Sequence, residues 1–203
     1  MRSRRSVGKR PRPRARLRQG VSSSGRVWNR LLPSPAHTDR LGRAIGSVLA
    51  GGESLALSGT LGAGKTALVR GIAAGLGAPA SAVSSPTFVL LHEYEGRLPL
   101  AHIDLYRLTS SKEVETIGLA DYLSGQTVVA VEWADKAPGL LPDDRLEMEL
   151  RHRTVQSRSI TFKATGPLSA ALLSRLKHHE SHRQRRVDTP TPQQRAVKGK
   201  SSS

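Results

Sequence analysis

The segment Gly59-Thr60-Leu61-Gly62-Ala63-Gly64-Lys65-Thr66 constrains this chain more than any other. It fits G-x-x-x-x-G-K-[ST] and lies between a short apolar run, Leu55-Ala56-Leu57, and a helix-like segment. Three glycines let the backbone curl until several N–H groups converge on a phosphate, an approach that side chains would obstruct. Lys65 brings a point charge to the outer phosphates and Thr66 offers a hydroxyl to a magnesium ion. The helix starting there turns its positive dipole end to the same anion. The competing reading is a glycine-rich turn without function, but a chance match at all four constrained positions is rare in 203 residues.

The coarse order of elements supports a small α/β domain. Leu41, Ala44, Ile45, Val48 and Leu49 follow helical spacing from a candidate N-cap at Thr38 to a stop at Gly51-Gly52. A strand ending at Ser58, the phosphate loop and a helix to about Leu76 come next, which is the opening unit of a P-loop nucleotide hydrolase. Two further strand-like runs each end in an acid: Leu98 to Ile103 before Asp104, and Thr127 to Val131 before Glu132. Open α/β sheets bind ligands beyond the carboxyl ends of such strands, and an acid there is costly to bury without a cation. Glu132 is the first candidate magnesium ligand and Asp104 the second, against the alternative that each is a surface carboxylate. Between these strands, Ser111 to Ile117 and Leu119 to Leu123 look helical. Alternating segments at Arg145–Arg151 and Arg158–Lys163 predict a hairpin, and a last helix runs from about Pro167 to Lys177 with Leu168, Leu172, Leu173 and Leu176 on one face. The predicted class is α/β: a P-loop NTPase-like small mixed sheet flanked by helices, with disordered basic tails.

Charge sharpens the boundaries. The chain has 32 Lys+Arg and 16 Asp+Glu, a formal net charge of +16. Residues 1–38 hold 11 basic and no acidic residues, residues 177–203 hold 7 and 2, and the stretch between them is balanced at 14 and 14. The excess lies in the ends, so residues 1–35 and 178–203 read as disordered basic arms around a domain at 36–177. Either arm is a dispensable tail or a phosphate-backbone contact with RNA; apart from Trp28, no aromatic residues interleave with the N-terminal charge. Cysteine is absent, which excludes disulfides and thiol chemistry and suits a cytoplasmic protein. No apolar run reaches the length of a membrane span, and the basic start lacks the apolar core of a signal peptide. His178, His179 and His182 sit in a charged tail and do not form H-E-x-x-H, so metal binding there is disfavoured.

Ser84-Ser85-Pro86-Thr87 is a polar turn before the run Phe88 to Leu91. Thr87 is either part of an ordinary loop or a switch residue facing the terminal phosphate or the metal. A different enzyme class, a small-molecule kinase, would use the same phosphate loop with arginines on a lid; Arg151, Arg153 and Arg158 lie near one another but on strand-like segments. A GTPase is disfavoured because Asn-Lys-x-Asp is missing, with Ala134-Asp135-Lys136 the nearest approach. A third reading is a basic RNA-binding module whose nucleotide site is silent.

Four landmarks in order carry a family resemblance: Gly59 to Thr66, Ser85-Pro86-Thr87-Phe88, His102-Ile103-Asp104-Leu105-Tyr106-Arg107 and Val131-Glu132-Trp133. Over about residues 36–176 the chain resembles the TsaE (YjeE) family, the P-loop ATPase of bacterial tRNA threonylcarbamoyladenosine synthesis. The resemblance implies Mg²⁺-dependent ATP hydrolysis, slow without partners, in support of TsaB and TsaD, with TsaD modifying the adenosine beside the anticodon of tRNA. It implies that Lys65 binds the phosphates, that Thr66 and Glu132 hold magnesium, and that Thr87 is the switch threonine. Asp104 would lie near the metal or the attacking water, with Glu132 also able to orient that water, and Trp133 would modulate activity from beside the site. Tyr106 and Arg107 would shape the motif or a partner surface. The family usually has Asp where this chain has Thr60, which implies slower hydrolysis with binding intact.

Overall fold

The computed structural model describes residues 26–79, 91–107, 118–123 and 125–188, except for the side chains of 186–188. Thr87 with its flanking turn, the expected helix at 111–117, and the arms at 1–25 and 189–203 lie outside the described residues.

The described strands are β1 (Val27–Leu32), β2 (Ser54–Ser58), β3 (Leu91–Tyr94), β4 (Leu100–Asp104), β5 (Val128–Glu132), β6 (Leu146–His152) and β7 (Arg158–Ala164). The helices are α1 (Pro35–Val48), α2 (Lys65–Gly75), the one-turn α3 (Leu119–Tyr122) and α4 (Pro167–Asp188). Among the described residues the strands form one sheet in the order β1-β7-β6-β2-β5-β4-β3. Its centre is parallel, with β6, β2, β5 and β4 side by side, while β1, β7 and β3 join antiparallel at the flanks. Strands β2, β4 and β5 are buried along nearly their whole length, because helices or turns cover both faces. The α/β mixed sheet flanked by helices is therefore as the sequence predicts.

Two apolar clusters sit on the two faces. The larger one packs Leu41 and Ile45 of α1, Leu68 and Ile72 of α2, and Leu172, Leu173 and Leu176 of α4 against Leu57, Met148, Ile160 and Phe162. The smaller one puts Leu119, Ala134, Ala137 and Leu141 over Ala56, Ile103 and Val131. Strand periodicity makes this division: residues 100, 102 and 104 of β4 face the first cluster, while 101 and 103 face the second.

Several expected boundaries shift. β1 lies inside the segment that charge alone assigns to a disordered arm. It is ordered because all six of its residues pair with β7 and Trp28 stacks on Phe162 with ring centroids 5.3 Å apart. α1 begins at Pro35 with Ser34 as N-cap, not at Thr38, and proline at the first helical position fits that start. α4 continues past Lys177 to Asp188. One anchor of that extension is Glu180, which pairs with Arg30 of β1 at 2.9 Å. Leu168 is exposed rather than on the buried face of α4; the carboxylate of Asp144 accepts from the N–H groups of Leu168 and Ser169 at 2.7 and 3.0 Å and starts the helix there.

The contact between α1 and α2 depends on four glycines. Gly42 and Gly46 lie one turn apart on α1, as do Gly71 and Gly75 on α2. A Cβ at Gly46 would stand 2.3 Å from the Ile72 carbonyl oxygen and 2.8 Å from the Gly75 Cα; one at Gly42 would stand 2.5 Å from the Leu68 carbonyl oxygen. These neighbours are backbone atoms and cannot rotate away, so only glycine permits this approach. Gly46→Ala is accordingly expected to destabilise the protein by about 1–3 kcal/mol through overpacking, while Gly139→Ala, with no neighbour within 4 Å, stays within about 0.5 kcal/mol. Urea unfolding of both variants measures the difference.

Candidate functional site

The loop from Gly59 to Gly64 leaves the carboxyl end of β2 and runs into α2. Gly59, Gly62 and Gly64 have φ of 134°, 74° and 104°, in the region that favours glycine. A Cβ at Gly59 would also strike the Leu150 carbonyl oxygen at 2.2 Å, so β6 is packed directly under the loop. The Lys65 ammonium turns back over this curl and donates to the carbonyl oxygens of Gly59 and Thr60 at 2.7 and 3.1 Å.

β4 and β5 bring two acids to the same end of the sheet. Their parallel register pairs Asp104 with Glu132, and side-chain alternation turns both toward α2. Glu132 is 2% exposed and uses both carboxylate oxygens: the Thr66 hydroxyl donates to Oε2 at 3.0 Å and His102 Nε2 donates to Oε1 at 2.8 Å. Asp104 is also buried, and its Oδ1 accepts from the backbone N–H of Tyr106 at 2.9 Å. The two acids, Lys65, Thr66, Leu61, Gly62, Gly64, Ala67, Tyr106 and Trp133 line a cavity of about 260 Å³. Neither acid is a solvated surface carboxylate.

Trp133 follows Glu132 with φ 57° and ψ 38°; among the described residues it is the only non-glycine with positive φ. This conformation places the indole under the Lys65 ammonium, 3.6 Å from the ring centroid, and against the Tyr106 ring at 5.0 Å. Lys136 donates to the Tyr106 carbonyl oxygen and holds the same corner from the other side. Burial lowers the Lys65 pKa against the opposing pull of Glu132, Asp104 and Asp135. Burial also raises the Asp104 pKa, reinforced by Glu132, although the Tyr106 amide, His102 and Lys65 act the other way.

The structure thus brings together Gly59 to Thr66, Asp104, Glu132 and Trp133. Its donors are a hydroxyl and carboxylate oxygens, the chemistry of a hard cation such as magnesium, which takes one or two carboxylates plus phosphate and water oxygens. Among the described residues no group of three His, Cys, Asp or Glu could hold a metal by itself, so a cation held here would take phosphate or water oxygens as well. Arg151 and Arg158 are strand residues on β6 and β7, where Arg151 makes an exposed pair with Glu149 at 2.6 Å; they do not sit on a lid of the kind a small-molecule kinase uses.

The role of His102 was missed in the sequence. It is wholly buried, it fixes the Glu132 carboxylate, and its Nδ1 has no partner among the described residues. The available signal was its spacing: His102 stands two residues before Asp104 on one strand, so both face the same way.

A parallel-centred sheet with a glycine loop and a Lys-Thr helix start at its carboxyl end defines a P-loop α/β protein. The family model described as threonylcarbamoyl adenosine biosynthesis protein TsaE matches residues 32–160, and the chain belongs to the TsaE family. It is 38% identical over 149 residues to a tRNA threonylcarbamoyladenosine biosynthesis protein TsaE of Bacillus subtilis, covering 73% of this chain and 92% of that protein. A TsaE protein of Treponema pallidum is 39% identical over 128 residues, covering 63% and 94%. The crystal structure of YdiB from Bacillus subtilis superposes with a TM-score of 0.64 at 33% identity, covering 76% of this chain and 96% of that one.

The raised Asp104 pKa has a definite linkage sign. Below the ordinary carboxylate range both folded and unfolded chains carry the proton and Asp104 contributes nothing. As pH rises the unfolded chain ionises first, so stability falls until the folded carboxyl also ionises. Asp104→Asn should therefore unfold at higher temperature than the parent at pH 7, with the difference shrinking toward pH 3; thermal melts of both proteins at the two pH values test this.

Proposed function

We propose that this protein binds and hydrolyses ATP with Mg²⁺ as a subunit of the tRNA threonylcarbamoyladenosine modification machinery. The observation that carries the reading is the Thr66–Glu132 pair, a buried hydroxyl and carboxylate 3.0 Å apart at the mouth of the phosphate loop. The names of the TsaE relatives supply the pathway.

In this reading the amides of Gly59 to Thr66 and the Lys65 ammonium bind the phosphates. Lys65 exchanges its two loop carbonyl acceptors for phosphate oxygens and follows charge onto the leaving group. Thr66 and Glu132 hold the cation, and His102 keeps the Glu132 carboxylate turned toward Thr66. Magnesium held by these two side chains would supply the positive charge that offsets negative charge developing on the phosphates. Asp104, whose pKa burial raises, lies in the same cavity and accepts a proton from or orients the attacking water. Trp133 and Tyr106 wall the cavity beside Lys65, restrict water and modulate activity. Thr87 is the proposed switch residue on the terminal phosphate.

Thr60 is exposed at the loop tip, where the family usually carries an acid. Without that carboxylate, hydrolysis by the isolated protein is slow and TsaB and TsaD homologues are its proposed partners. The protein works in the cytoplasm, where ATP and tRNA are found together.

Isothermal titration with ATP and a phosphate-release assay with and without Mg²⁺ test the reading. Lys65→Ala is expected to lose ATP binding. Glu132→Gln, which keeps the shape of the group that His102 and Thr66 contact, is expected to bind ATP and lose Mg²⁺-dependent hydrolysis by about 10²-fold or more. Thr60→Asp is expected to raise turnover toward the roughly 10²-fold that a positioned base contributes. Parental rates in Glu132→Gln would overturn the metal assignment. Failure to support modification of tRNA in a reconstituted assay with TsaB and TsaD would overturn the pathway.

A further inference from the structure

The corner of the molecule formed by β1, the start of α1 and the end of α4 carries charge that the nucleotide site does not use. A recess of about 400 Å³ opens there, lined by Arg30, His37, Arg40, Glu180 and Arg183 among others. Glu180 is the single acid in the lining and is committed to Arg30 at 2.9 Å. Neither Arg40 nor Arg183 takes part in an ion pair among the described residues.

Uncompensated like charges held together repel one another, so a fold gains nothing from the cluster unless an anion is drawn to it. The arrangement is built rather than accidental. β1 is held by its full pairing with β7, the Trp28–Phe162 stack and an Arg30 guanidinium 5.1 Å from the Trp28 ring centroid. The end of α4 is tied to it through Glu180. Only His37 and Arg40 of the five recess residues fall within residues 32–160, the part the family model matches.

We infer that this Arg30–Arg40–Arg183 recess is a binding surface for the sugar-phosphate backbone of RNA, the tRNA substrate of the modification reaction. The identity of the RNA rests on the function proposed above; the chemistry of the surface does not. Guanidinium groups present paired N–H donors that match phosphate oxygens, and the two without an ion pair, Arg40 and Arg183, face one concave corner that fits a ridge of phosphates. A flat anionic bilayer would meet only the rim of a recess.

The test uses the full chain and a fluorescently labelled, unmodified tRNA transcript, with anisotropy measured across salt from about 50 to 200 mM. Arg40→Glu/Arg183→Glu should bind the transcript at least about tenfold more weakly and flatten the slope of log affinity against log salt by roughly two. Arg40→Gln/Arg183→Gln should fall between this variant and the parent. Both variants should retain the ATP affinity of the parent, which shows that they fold. Parental affinity and slope in the charge-reversed variant would overturn the inference, as would parental binding that prefers phosphatidylglycerol vesicles to the transcript. The two proposals fail separately: weakened RNA binding by the double variant in a protein that never hydrolyses ATP would sink the proposed function and leave this surface standing.

Discussion

The site depends on how one carboxylate is buried. An ionised Glu132 with almost no exposure would be prohibitive on its own, since removing a charge from water costs far more than any single contact returns. The fold meets this with donors from two different elements, His102 of β4 and Thr66 of α2, one on each oxygen. Each donor is placed by something larger. Parallel pairing of β4 with β5 puts His102 beside Ala130 and Asp104 beside Glu132, and the glycine loop delivers Thr66 to the same end of the sheet. Strand register, loop and helix start therefore converge on one side chain, and a shift in any of them would leave a buried charge without its partners.

The glycines of α1 and α2 act on the same site from outside. Close approach of the two helices sets Thr38 of α1 over the loop, with its Cγ2 3.9 Å from the position of a Cβ at Gly64. A hydroxyl is buried there without a partner among the described residues. At the far end of α1, Glu53 accepts from the amides of Ala50 and Gly51 and from Arg175 of α4 at 2.6 Å. Three helices that cover one face are thus locked to each other as well as to the sheet, which makes the face under the phosphate loop a fixed floor.

Much of this was legible in the sequence because its signals are local. The phosphate loop is a contiguous motif, the buried strands are contiguous β-branched runs, and acids at their ends mark the ligand side of the sheet. What was not legible depends on partners distant in the chain. β1 lies in a stretch whose charge reads as an arm, and only the pairing with β7, more than a hundred residues later, makes it a strand. The extension of α4 is polar and reads as a tail until Glu180 meets Arg30. Gly42, Gly46, Gly71 and Gly75 are each unremarkable alone; their meaning appears only when two helices are laid together. His102 was visible as part of a motif, but its bond to Glu132 crosses two strands.

Trp133 shows how the electrostatics of the site override local backbone preference. A left-handed conformation costs a residue with a Cβ on the order of 1 kcal/mol or more, and glycine would remove that cost. Glycine would also remove the ring that lies 3.6 Å from the Lys65 ammonium and keeps water from one side of it. An ammonium shielded in this way interacts more strongly with an anion than a solvated one does, because the local dielectric is lower. The strain is held in place from both sides, since the Glu132 carbonyl accepts from Leu105 N–H at 3.1 Å and the Trp133 carbonyl accepts from Lys136 N–H at 3.0 Å. The turn that follows, through Ala134 and Ala137, is packed into the second apolar cluster. The residue that screens the phosphate-binding lysine is thereby anchored to the opposite face of the sheet, and the left-handed turn at 133 is the crossing point between them.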